Sequence, residues 1–125
     1  MVRAALPALF DTCILIDYLR GVAQARAECE RLGDRAISII TWMEVLAGAT
    51  EANESETREF LLNYQVLPVT QEIAEGAVGI RRSRKLKLPD AIIQATAEAD
   101  GRVLVTRNTR DFPEGTAGVR IPYVL

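Results

Sequence analysis

Short apolar blocks alternate with longer stretches of helical period along this chain. Ala4–Phe10 reads as a strand with Pro7 interrupting its start, closed by Asp11 and Thr12. Ile14–Arg20 has the spacing of a short helix stopped by Gly21, and Val22–Leu32 that of a second helix with Gly33 as its C-terminal cap. Arg35–Ile40 carries the isoleucine enrichment of a buried strand. Thr41 then opens a helix through Ala47 that ends at Gly48, and Asn53–Tyr64 forms another. Val66–Val69 is a strand, and Thr70 caps a helix running to about Leu86. Pro89 resets the chain, Asp90–Ala99 is helical, and Gly101 ends it. Arg102–Thr106 is a buried strand, and Ile121–Val124 closes the chain as a last short one.

This alternation predicts an α/β fold of three layers, α/β/α, with a central, mainly parallel sheet and helices on both faces. The 125 residues fit one domain over 1–125, without repeats or a linker. In such sheets ligands sit beyond the C-terminal ends of the strands. Asp11 falls at the end of the first strand, Glu44 one helical turn after the second, and Asp111 in the loop after Arg102–Thr106. Asp90 begins the helix before that strand.

Composition narrows the chemistry. The chain has no histidine, which removes histidine-based triads, Cys-His pairs and imidazole metal ligands. Cys13 and Cys29 form no CxxC motif and read as reduced packing residues of a cytoplasmic protein. No apolar run is long enough to cross a membrane, so no membrane partner is expected. Any metal must therefore be held mostly by oxygen, which points to Mg²⁺ or Mn²⁺. Clustered carboxylates repel one another unless a cation neutralises them, and a bound cation can activate water against a phosphodiester.

Each carboxylate also has an ordinary structural explanation. Asp11 suits a turn after a strand. Thr41-Trp42-Met43-Glu44 matches a capping box, Asp90 suits the first turn of a helix, and Asp111 suits a turn beside Asn108. Their joint placement at one sheet edge is what the separate explanations leave unaccounted for.

Four segments in order carry a family likeness: Phe10–Gly21 (FDTCILIDYLRG), Ile40–Gly48 (ITWMEVLAG), Leu88–Ala97 (LPDAIIQATA) and Leu104–Phe112 (LVTRNTRDF). Together the chain resembles the PIN-domain ribonucleases of the VapC toxin type. The resemblance implies a metal-dependent endoribonuclease, the toxin of a type II toxin–antitoxin pair. It implies an acidic metal site of Asp11, Glu44 and Asp90 with a fourth position at either Asp111 or Asn108, of which Asp111 is preferred. Thr12 and Thr106 become supporting hydroxyls, and Asn108 a polar contact to metal-bound water or phosphate. Implied partners are an RNA substrate, an antitoxin whose C-terminal segment blocks the cleft, and a second copy in a homodimer. Cys13 departs from the family, which often has Asn or Ser there.

Five cations, Arg81, Arg82, Arg84, Lys85 and Lys87, fall just before Asp90. They read either as a solvated helix face or as contacts to RNA phosphates, with the second reading preferred for its position. Trp42 reads as core packing. The rival functions are a PIN nuclease of RNA processing without an antitoxin, and a PIN-like binding module without catalysis. A receiver-like phosphoacceptor is disfavoured, because the only lysines precede Asp90.

Overall fold

The computed structural model describes residues 7–31 and 33–125. Its elements are β1 (Ala8–Phe10), α1 (Thr12–Leu19), α2 (Ala23–Arg31), β2 (Arg35–Ser38), α3 (Ile39–Ala47) and α4 (Glu54–Leu61). They continue as β3 (Gln65–Leu67), α5 (Gln71–Ser83), α6 (Leu88–Ala99), β4 (Val103–Val105) and β5 (Val119–Arg120). The expected strand start at residues 4–6 and the expected helix end at Leu32 lie outside the described residues.

All strand pairs are parallel, in the order β3-β2-β1-β4-β5. The order reverses between β1 and β4, where Phe10 is in register with Val105. That crevice is where an open parallel sheet receives its ligand.

Side chains alternate across the strands and so divide the core in two. Ala8, Phe10, Ile37 and Val105 pack with Ile14, Leu15, Cys29, Val45, Leu61 and Tyr64 from α1–α4 and the chain after α4. Leu9, Ala36 and Leu104 face Ile73 and Ala77 of α5, Ala91, Ile93, Ala95 and Ala97 of α6, and Phe112. Trp42 packs against the first group, the core role expected of it.

Four of the boundaries that differ from the sequence reading have a clear local reason. Ser38, not Thr41, caps α3: its hydroxyl accepts from the Ile40 backbone N–H at 3.1 Å. Strand β2 therefore ends early, and Thr41 is a buried residue inside the helix. The capping-box explanation of Glu44 fails with it. Helix α5 stops at Ser83, because Arg84 is extended. Helix α6 starts two residues before Asp90, with Pro89 in its first turn, where a missing N–H costs nothing. The last strand is Val119–Arg120 instead of Ile121–Val124, and it follows Gly118 in a positive-φ conformation (74°). Gly21 and Gly101, with φ of 84° and 63°, end α1 and α6 as expected.

Candidate active site

Asp11 leaves the end of β1 and caps α1, its Oδ1 accepting from the Thr12 backbone N–H at 2.8 Å. Its Oδ2 accepts from the Thr106 hydroxyl at 2.8 Å, across the β1–β4 crevice. Thr106 Oγ1 in turn accepts from the Asn108 backbone N–H at 3.1 Å. One hydroxyl thus locks the first carboxylate to the loop after β4.

Glu44 comes from α3, where its exposed carboxylate accepts from Thr12 Oγ1 at 2.7 Å. Thr12 Oγ1 also stands 3.0 Å from Thr41 Oγ1. A hydroxyl has one proton, so Thr12 shares it between the Glu44 carboxylate and the Thr41 oxygen. Buried Thr41, read in the sequence as a helix cap, is the inner partner of this hydroxyl pair.

Asp90 sits in the first turn of α6 and lines the same cleft, a space of about 440 Å³ walled by Asp11, Thr12, Cys13, Glu44, Asp90 and Asn108 among others. Asp111 is not part of that wall. Its Oδ2 accepts from Asn108 Nδ2 at 2.8 Å, and its backbone N–H donates to Asn108 Oδ1 at 3.3 Å. Asn108 faces the cleft, and Asp111 braces it and adds charge.

The electrostatics are those of crowded anions. Burial, then the charges of Asp11, Asp111 and Glu44, push the Asp90 carboxyl up to about 6, with Lys87 opposing. Burial also raises Asp11; the donors Thr106 and Thr12 lower it without overcoming that cost, and Glu44 adds to the rise. Cys13 lies 3.6 Å from Thr106 Oγ1 and 3.8 Å from Asp11 Oδ2. Burial and the Asp11 charge hold its thiol up at about 11, so it is protonated at neutral pH and is no nucleophile.

The basic run divides. Arg81, Arg82, Lys85 and Lys87 are exposed. Arg84 turns inward: it donates to Gln94 Oε1 at 2.7 Å and to the Asp111 carbonyl, and lies over the Phe112 ring. It ties α6 to the Asp111 loop.

Two arginines of the cleft wall were missed in the sequence, Arg107 and Arg110. Both stand in the LVTRNTRDF segment, but spacing alone does not show which side chains of a loop face inward.

The PIN domain family model matches residues 8–115. The chain is 34% identical over 113 residues to Ribonuclease VapC10 of Mycobacterium tuberculosis, covering 84% of this chain and 85% of that protein. Its structure matches a chain of a toxin–antitoxin complex from Klebsiella pneumoniae with a TM-score of 0.89 and 48% identity, over 94% of this chain and 99% of that one. A chain of DNA-bound VapBC from Salmonella typhimurium matches with a TM-score of 0.75 and 28% identity, over 94% and 97%. A three-layer parallel fold, a carboxylate-lined cleft at its switch point and relatives of this extent agree: the chain belongs to the PIN-domain family, with VapC ribonucleases among its relatives.

Proposed function

We propose that this chain is a metal-dependent endoribonuclease and the toxin of a type II toxin–antitoxin pair, working as one domain over residues 1–125. The observation that carries this is the convergence of Asp11, Glu44 and Asp90, from three separate elements, on one open cleft.

The donor set suits a hard divalent cation. It is all oxygen, and burial together with the charges of Asp11, Asp111 and Glu44 pushes Asp90 up to about 6. Among the described residues no group of three acidic or thiol side chains is drawn together tightly enough to cage an ion. The cleft carboxylates thus leave room for the water that Mg²⁺, or the similar Mn²⁺, keeps in its shell. Asp11, Glu44 and Asp90 would hold it, with Asp111 acting through Asn108. When bound, such an ion neutralises phosphate oxygens and makes water nucleophilic at neutral pH.

The chain's own residues supply the positioning. Thr106 and the Thr12 N–H fix the Asp11 carboxylate, and the Thr12 hydroxyl, seated against Thr41, fixes Glu44. Fixed ligands lower the reorganisation needed at the moment of reaction. With water as the nucleophile, the products are a 5′-phosphate and a 3′-hydroxyl. Exposed Arg81, Arg82, Lys85 and Lys87 would track the RNA backbone toward Asp90.

A groove of about 390 Å³, lined by Leu19, Arg20, Val45 and Thr57, shares Ile16 and Glu44 with the acidic cleft. It would take the antitoxin segment that covers the site, and the apolar helix surfaces of residues 42–64 would contribute to a homodimer.

The test is cleavage of a labelled structured RNA by purified protein, with and without Mg²⁺ or Mn²⁺, beside Asp11→Asn and Asp90→Asn. Metal-dependent cleavage lost in both variants supports the reading. Equal trace activity in all three proteins overturns it in favour of a binding module.

A further inference from the structure

The buried carboxylate of Asp17, in α1, has no part in the site just described. Its side chain is 2% exposed, yet it receives three donors from distant parts of the chain. Arg107 Nη2 donates to Oδ1 at 3.0 Å, Arg107 Nε donates to Oδ2, and the Tyr123 hydroxyl donates to Oδ2 at 2.8 Å. Arg107 itself is 32% exposed and lines the cleft that holds Asp11, Glu44 and Asp90.

A guanidinium gripped along its Nε–Nη2 edge presents Nη1 on the opposite side. Among the described residues Arg107 Nη1 makes no hydrogen bond, and Arg107 pairs with no cleft carboxylate. An unanchored arginine beside three carboxylates would fold onto them and fill the space between them. The Asp17 fork prevents that, and the Tyr123 hydroxyl fixes the Asp17 carboxylate that makes it.

We propose that Arg107 is a substrate-phosphate contact at the cleft, and that Asp17 and Tyr123 are its positioning residues. The phosphate is that of the RNA strand, so the inference rests on the nuclease reading. The alternative is a clasp that merely fastens the C-terminal segment to α1.

The test combines steady-state cleavage with metal-free binding of a single-stranded RNA, by the full-length protein, over a range of salt. For Arg107→Gln we expect KM for RNA to rise about tenfold with kcat little changed, the signature of lost uniform binding. The slope of log affinity against log salt should shrink by about 0.7, the share of one phosphate contact on a single strand. Arg107→Lys keeps the charge and loses the fork, so its slope should match wild type while KM lies between the two. Tyr123→Phe should raise KM modestly at unchanged slope.

A lowered melting temperature with wild-type KM and slope in Arg107→Gln would overturn the proposal in favour of the clasp. Should Arg107→Gln not fold, a wild-type KM in Arg107→Lys does the same. Failure of the nuclease reading looks different: wild type and Asp11→Asn then cleave alike, whatever Arg107 does to the salt slope.

Discussion

Thr106 and Asp11 are 95 residues apart in sequence and joined by a 2.8 Å hydrogen bond across the two central strands. The bond spans the point where the strand order reverses, so the hydroxyl of one strand end orients the carboxylate of the other. Thr106→Val keeps the shape and removes the donor. The buried carboxylate then loses a partner, which should cost about 1–3 kcal/mol of stability, read by denaturant unfolding. Cleavage should fall with it, and Thr106→Ser should restore both.

Asp11→Asn removes a buried negative charge facing Glu44. Cleavage should drop by about 10²-fold or more, the scale of losing a preorganised charged group at a reacting centre. Stability of the metal-free protein should hold or rise, since the cost of burying a charge goes with the carboxylate, and the repulsion of Glu44 with it. Activity and melting temperature moving in opposite directions would separate a site residue from a packing residue; a parallel fall in both would count against the assignment.

Asp90 titrates near 6 when folded, against an ordinary carboxylate value of 3.8. Between those values the folded state holds a proton that the unfolded chain has released. Metal-free stability should therefore fall as pH rises from about 4 to about 6 and then level. Asp90→Asn should remove that part of the profile. Added Mg²⁺ or Mn²⁺, by favouring the ionised form, should raise the wild-type melting temperature most above pH 6, and do so far less in the variant. Differential scanning fluorimetry across pH 4–8 reads all three.

Glu28 behaves in the opposite sense. Burial would raise its carboxyl, but hydrogen bonds from Arg120 (2.7 and 3.0 Å) and Arg31 (3.2 Å) outweigh that and hold it below the usual 4.5. This contribution is fully present above 4.5 and is lost as pH falls through the lower folded value. Glu28→Gln should destabilise by about 2 kcal/mol at neutral pH, because the pair joins α2 to β5. The difference from wild type should shrink in acid, as urea unfolding at pH 7 and pH 3 would show.

The basic run should split under mutation as it splits in space. Arg84→Ala should lower stability and cleavage together, since it unfastens the Asp111 loop from α6. Arg81→Gln with Arg82→Gln should leave the melting temperature unchanged and weaken RNA binding in a salt-dependent way. Filter binding at two salt concentrations, with a thermal melt of each variant, tests both halves.

Much of this molecule is written in local pattern. The order of strands and helices, the absence of histidine and the acids at strand ends follow from spacing and composition, because period and side-chain chemistry are properties of short stretches. The family likeness of FDTCILIDYLRG and LVTRNTRDF belongs to the same level. What local pattern does not contain is direction. Thr41 looked like a cap and is a buried partner of Thr12, because Ser38 reached the helix N–H first. Arg84 looked like its basic neighbours and is a brace, because an extended residue after α5 turns it toward Gln94 and the Asp111 carbonyl. Asn108, not Asp111, faces the cleft, and Arg107 faces both Asp17 and the acids. These outcomes depend on which chain segments parallel pairing brings side by side, so only the tertiary structure decided them.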